Sequence, residues 1–215
     1  RMLKAKSLYH LIVYSILFII LLISFFTFII INNAHEELQD KIETLKTDYT
    51  NSQKELIKND VNSVINFITY YDNKYKKIKS TEQIKKEVLE ALTQIRPFDN
   101  VNEYLFIYDF NGINLYQPIS KDKIGEKYFD LTDSAGRKVI KELIDISKQG
   151  NGGYVEYFWY KLDIFKNTKK ISYSNSYKNW NWAIGKGVYL DKIDKLVEEK
   201  EITKTWEKFI HTHHY

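Results

Sequence analysis

The sequence predicts an α+β fold: a five-stranded antiparallel sheet with helices, carried on a long N-terminal helix continuous with a transmembrane helix. Three observations predict it. Residues 11–31, LIVYSILFIILLISFFTFIII, contain no charge. From there to Arg96 neither Pro nor Gly interrupts an apolar pattern that steps by four and three residues. Beyond Pro97 the pattern changes to period two, in short runs separated by turn residues.

The uncharged run comes first because it sets the location of everything else. A helix of about 20 apolar residues matches the hydrocarbon thickness of a bilayer, so Leu11–Ile31 reads as a membrane span. Arg1, Lys4 and Lys6 precede it without any acid, and His35, Glu36 and Glu37 follow it. Lys and Arg are retained on the cytoplasmic side. Residues 1–10 are therefore expected inside and residues 32 onward outside the inner (cytoplasmic) membrane, periplasmic or extracellular. Secretory signals have apolar cores of about 7–15 residues ending in a small-residue cleavage site. The run is longer, and Ile29–Asn33 offers no such site, so it reads as an uncleaved anchor.

Composition limits the outer part. Three of the 32 Lys and Arg lie in residues 1–31, leaving 29 against 28 Asp and Glu, a balance of +1. That excludes the strongly basic surface a nucleic-acid partner requires. With no cysteine, disulfide frameworks and thiolate chemistry are excluded. The 17 Tyr, 12 Phe and 4 Trp gather between Tyr104 and Tyr189, which points to a pocket-bearing domain.

Helical residues follow the span. Leu38, Ile42, Leu45, Tyr49, Ser52 and Leu56 form one seam, and Ile57, Val61, Val64, Ile68, Tyr71, Tyr75 and Ile78 a second, offset by one residue. Each steps as a coiled-coil seam does. Residues 32–56 are expected to be a stalk that pairs with a second subunit, and the helix to pack on its own domain from about Ile57. Ser80-Thr81-Glu82-Gln83 has the cap hydroxyl and acidic first turn of a fresh helix, with Ile84, Val88, Ala91, Leu92 and Ile95 as its buried stripe. Arg96-Pro97 ends it, since the residue before proline avoids helical geometry.

Tyr104–Tyr108 and Ile113–Tyr116 read as a hairpin around the turn Asp109-Phe110-Asn111-Gly112. Lys121–Asp133 is loop-like, with Asp130 and Asp133 placed to latch it to Lys138. Ser134 is the expected cap of a helix running to about Lys148, stopped at Gly150-Asn151-Gly152-Gly153. Strands follow at Tyr154–Tyr160, Lys170–Tyr177 and Trp182–Val188, and Asp191 onward is again helical. Hairpin-linked strands imply an antiparallel sheet, with helices on one face.

Several segments together resemble a known family. Asn102–Pro118 (NEYLFIYDFNGINLYQP), Ile124–Ile144 (IGEKYFDLTDSAGRKVIKELI), Gly152–Lys161 (GGYVEYFWYK) and Ile171–Asp194 (ISYSNSYKNWNWAIGKGVYLDKID) are similar, in order, to single Cache sensor domains. The resemblance covers residues 57–197. It implies a PAS-like extracytoplasmic sensor of a bacterial chemoreceptor, histidine kinase or cyclic-dinucleotide enzyme, binding a small organic carboxylate, with one membrane helix before and one after. The chain departs from the family pattern at Gln117, where His is frequent, and at Lys186, where a small hydroxyl residue usually separates the two glycines.

Arg96 leads the candidate site residues. It is one of three arginines among 32 basic residues, and a planar guanidinium grips a carboxylate through two parallel hydrogen bonds that Lys cannot copy. The family often carries Arg there. Tyr157 and Trp159 share one strand face by alternation, and Tyr173 is expected to face them from the next strand. Phe106 and Tyr116 of the first hairpin join this aromatic wall, with Gln117 as an amide donor and Lys186 as a second cation between Gly185 and Gly187. Residues 150–153 lack the Lys and Ser/Thr of a phosphate-binding loop. His211, His213 and His214 have no acidic or cysteine partner at ligand spacing, and no Ser-His-Asp or HExxH arrangement occurs. No metal, cofactor or enzymatic activity is therefore assigned to the outer part.

The expectation is a homodimeric transmembrane receptor binding acetate, propionate, lactate or pyruvate. Residues 198–215 would lead as a juxtamembrane helix to a second apolar segment and a cytoplasmic signalling module beyond Tyr215. The competing expectation is a membrane-anchored coiled-coil adhesion or assembly protein whose core is filled.

Overall fold

The computed structural model describes residues 2–95 and 102–199. Arg96 and the histidine tail fall outside them. The chain divides into two compact units, Arg1–Thr47 and Asp48–Tyr215.

The first unit is the N-terminal part of helix α1 (Met2–Tyr75). Its side chains from Leu11 to Ile31 are largely exposed, and the helix is long and apolar enough to cross a membrane. Beyond the apolar run its surface turns polar, with Glu37 and Lys41 paired one turn apart.

In the second unit, a five-stranded antiparallel sheet runs in the order β2-β1-β5-β4-β3. The strands are β1 (Leu105–Asp109), β2 (Asn114–Tyr116), β3 (Gly153–Lys161), β4 (Lys166–Tyr177) and β5 (Trp182–Tyr189). Every residue of the central β5 is buried. Alternation along β5 divides the core. Trp182, Ile184 and Val188 face α1 and α2 (Thr81–Ile95), where Ile57, Val61, Val64, Ile68, Ile84 and Val88 meet them. On the opposite face, Phe106, Tyr108, Val155, Tyr157 and Ala183 pack under α3 (Val139–Ser147). Helices thus cover both faces, not one as expected. The amphipathic stripe of α3 (Val139, Ile140, Leu143, Ile144) needs an apolar surface of its own, and the first face is already filled by α1 and α2.

Polar contacts fix α1 against the sheet. The Tyr154 hydroxyl donates to the Lys54 carbonyl (2.9 Å), Asn175 to Asn62 (3.1 Å), and the Tyr177 hydroxyl to Asp72. A further helix, α4 (191–199), follows β5.

Ser80 caps α2 as predicted, its hydroxyl accepting the Gln83 N–H, but Ile95 and Ile78 are exposed. The third helix starts at Val139 instead of Ser134. Asp133 explains the difference: its carboxylate accepts the backbone N–H groups of Ala135 and Arg137, and Gly136 takes φ +78°. This side-chain turn outcompetes a helical start. Lys138 reaches Asp130 at 2.7 Å, closing the loop as the sequence suggested. The turn Asp109–Gly112 is also structural: Asp109 accepts the N–H groups of Asn111 and Ile113, and Gly112 (φ +85°) lies against Phe129.

Candidate ligand-binding site

The sheet face under α3 carries an aromatic cup with a lysine at its base. Strand pairing builds it. Lys170 of β4 lies opposite Tyr157 of β3 and Tyr189 of β5, and Ser172 lies opposite Val155 and Gly187. Period-two alternation puts Lys170 and Ser172 on one face, and Ile171 and Tyr173 on the other. Gly185 and Gly187 keep the cup side of β5 bare. A Cβ on Gly187 would sit 2.1 Å from Ser172 Oγ and 2.7 Å from Lys170 Cε. One on Gly185 would sit 2.3 Å from the Phe106 ring. The two glycines are required because Lys170 and Phe106 lie directly on the β5 backbone.

Lys170 is 1% exposed. Its Nζ lies 4.3 Å from the Tyr104 ring centroid and 4.6 Å from that of Tyr189. Among the described residues no carboxylate lies within ion-pair distance of it, and no acceptor within hydrogen-bond distance. Aromatic faces attract an ammonium, but a buried cation ordinarily needs an anion as well. Burial accordingly pulls its pKa down to about 7, opposed by the negative field of Glu103.

Hydroxyl groups share the face of the sheet that carries Lys170. Tyr157 and Ser172 share a hydrogen bond of 2.7 Å. Burial raises the pKa of Tyr157 well above its ordinary value and that of Tyr104 as well, so both stay neutral donors. The indole of Trp159 and the amide of Gln117 approach the Tyr104 hydroxyl. Gln117 is oriented by Asn114, whose Nδ2 donates to Gln117 Oε1 at 2.8 Å. Its NH2 group is thereby turned toward Tyr104.

Above Tyr104 a cavity of about 150 Å³ is lined by Tyr104, Tyr108, Gln117, Tyr128, Leu131 and Trp159, among others. At roughly 30 Å³ of liquid volume per water, it holds a molecule of a few heavy atoms. On the far side of Tyr189 lies a wider space of about 490 Å³. Its charges largely satisfy one another: Lys161 Nζ meets both oxygens of Asp191, at 2.7 and 3.0 Å.

The predicted residues therefore divide. Phe106, Gln117, Tyr157 and Trp159 gather on the cup face. Tyr116, Tyr173 and Lys186 do not. Tyr116 packs in the core under α1 and α2, its hydroxyl on the Leu92 carbonyl. Tyr173 packs at a tilt against Tyr154 and donates to the Asn151 carbonyl; the expected meeting with Tyr157 fails because the paired residue on β4 is Lys170. Lys186 reaches Asp60 of α1 at 2.8 Å. Arg96 lies outside the described residues. Lys170, Tyr104, Ser172 and Tyr189 were not anticipated. The signal for Lys170 was present: once Ile171 and Tyr173 are assigned to the helix side, Lys170 must point into the cup.

A family model described as the Cache domain matches residues 30–210. The chain is 33% identical over 156 residues to the sensor histidine kinase MctS of Rhizobium johnstonii, covering 72% of this chain and 32% of that protein. It is 27% identical over 114 residues to the methyl-accepting chemotaxis protein McpP of Pseudomonas putida, covering 53% of this chain and 21% of that one. It thus spans a third or less of these curated relatives. Among solved structures, a methyl-accepting chemotaxis protein from Vibrio parahaemolyticus aligns with a TM-score of 0.61 at 27% identity, covering 71% of this chain and 99% of that one. A Cache chemosensory domain studied for carboxylic acid recognition aligns with a TM-score of 0.59 at 23% identity, over 67% and 98%, a likeness of fold. With a family match over most of its length, the chain belongs to the Cache domain family, which serves membrane receptors as extracytoplasmic sensor domains.

Proposed function

We propose that this sensor domain binds a small organic monocarboxylate in the aromatic cup and passes the resulting displacement to α1 and the membrane span. One observation carries the reading: a lysine buried between the rings of Tyr104 and Tyr189, with no acid partner among the described residues, and a cavity the size of a few heavy atoms that Tyr104 also lines. A carboxylate would supply the missing counter-ion. Its oxygens would accept from Lys170 and from the hydroxyls of Tyr157, Ser172 and Tyr104, charge-assisted bonds of about 1.5–3 kcal/mol each. The solved Cache chemosensory domain studied for carboxylic acid recognition supports the ligand class. Arg96 is proposed as a second cation on the same ligand. The receptor is proposed to act as a homodimer through residues 32–56 in the inner membrane, with a chemoreceptor, kinase or cyclic-dinucleotide module on the cytoplasmic side.

The test is calorimetric titration and thermal unfolding of the full chain in detergent micelles with acetate, propionate, lactate and pyruvate. A ligand at 100 times its Kd adds about 2.7 kcal/mol of stability. Lys170→Met is expected to weaken binding at least about tenfold, and Arg96→Ala to weaken it with the fold intact. No response to any acid would return the chain to the reading in which its helical stalk is the working part and the cup is filled core.

A further inference from the structure

We propose that the cup takes up its acid as a carboxylate together with one proton, which goes to Lys170, so that the receptor reads acid and pH jointly. This rests on the carboxylate reading above and adds the charge state of the bound complex.

The geometry around Nζ supports it from every side. Tyr104 precedes β1 and covers one side, Tyr189 of β5 the other. Tyr157 of β3, paired with Lys170, and Ser172 of β4 are bound to each other on the same face. Helix α3 contributes Val139, Ile140, Leu143, Ile144 and Ile146 to this cluster, none of them titratable. Glu103 is the acid whose field acts on the amine. The tyrosines remain neutral, since burial raises their pKa values. A full positive charge held mainly by ring faces is costly, and the lysine sheds its proton near pH 7. A carboxylate in contact reverses that preference, because an adjacent opposite charge favours the ammonium.

The step balances simply. The ligand enters as an anion, a solvent proton adds to the lone pair of Nζ, and a neutral amine becomes the ammonium of an ion pair. No other bond forms or breaks. The complex therefore binds more protons than the free chain between the pKa of the free lysine and that of the bound one. Below the first of these the amine is already charged, and affinity is level. Between them, affinity falls about tenfold per pH unit, because each binding event must draw a proton from solvent.

Calorimetry of the full chain with acetate and propionate, in phosphate and in Tris at each of pH 6, 7 and 8.5, counts the protons through the difference in buffer ionisation heat. Uptake near zero, about one half and near one is expected, with a Kd rising about 30-fold from pH 6 to 8.5. Lys170→Arg keeps a permanent charge, and its Kd should be level over this range without proton uptake. Lysine labelled at 13Cε gives a readout independent of that variant. The Lys170 resonance, assigned by its loss in Lys170→Met, should titrate near neutrality in the free chain and above pH 9 with saturating acetate. Binding without proton uptake at any pH overturns the inference and leaves the carboxylate reading standing. Failure of both acids to bind overturns the carboxylate reading, and this inference with it.

Discussion

Replacing Lys170 by Met should stabilise the ligand-free chain, an uncommon sign for a substitution at a wholly buried position. Burial moves the lysine from 10.5 to about 7, which corresponds to about 5 kcal/mol of penalty on the ammonium at 1.36 kcal/mol per unit. The sign follows from linkage. The unfolded chain keeps the proton up to pH 10.5, whereas the folded chain releases it near pH 7. Between those values the unfolded state binds more protons, so wild-type stability gains about 1.4 kcal/mol per pH unit from this residue. The penalty is complete below pH 7 and fades toward pH 10.5. Met retains the unbranched stem and places a thioether between the rings of Tyr104 and Tyr189, a favourable contact. The variant should gain about 2–4 kcal/mol at pH 6, and that advantage should shrink by about 3 kcal/mol at pH 9. Urea unfolding of both full-length proteins in micelles measures it, using the fluorescence of the buried Trp180 and Trp182. A difference that does not change with pH would refute the reasoning. So would a Met variant less stable at pH 6, because the ammonium would then have a counter-ion after all.

Substitutions at three other positions probe neighbouring contacts. Gly187→Ala drives a methyl into Ser172 Oγ and Lys170 Cε; overpacking of about 1–3 kcal/mol should lower Tm by about 2–4 °C per kcal/mol and weaken acetate binding, and an unchanged melting curve would contradict it. Asp60→Ala removes a carboxylate from the 2.8 Å pair with the nearly buried Lys186, costing about 2–4 kcal/mol with some discount for the partial exposure of Asp60; Asp60→Asn should recover part of this in the same urea titration. Tyr157→Phe deletes the bond to Ser172, at about 1 kcal/mol of stability, and should reduce propionate affinity; calorimetry giving wild-type affinity would remove Tyr157 from the site.

Much of the fold was legible because periodicity reports which face a residue occupies. Ile57, Val61, Val64 and Ile68 are buried in the steps read from the sequence, and all five strands fall within a few residues of their predicted places. The errors arise where a side chain competes with the backbone or where pairing register matters. Asp133 captures two N–H groups that a helix starting at Ser134 would need. The aromatic character of Tyr173 suits a cup, but its place opposite Tyr154 and Lys186 puts it under α1. Lys170 carries no local mark of burial, because a lysine in a strand is ordinarily solvated. Its burial depends on Gly187, Tyr104 and Tyr189, which are 17, 66 and 19 residues away in the sequence, and period alone does not bring them together.

The central strand gives the cup a mechanical connection to α1. Gly185 and Gly187 present bare backbone to Phe106 and Lys170 on one side, while Lys186 between them reaches Asp60 of α1 on the other. A side chain at either glycine would absorb small displacements by changing rotamer; backbone in direct contact has no such freedom. Close-packed interiors transmit strain of this kind instead of dissipating it. Any ligand that shifts Lys170 or Phe106 against β5 must therefore either deform a strand hydrogen-bonded on both edges or carry the Lys186–Asp60 pair with it. Deforming β5 breaks ladder bonds to β1 and β4, whereas sliding α1 by an ångström exchanges one packed arrangement for another, the kind of small helix shift on which switching transitions are built. The second route has the lower cost.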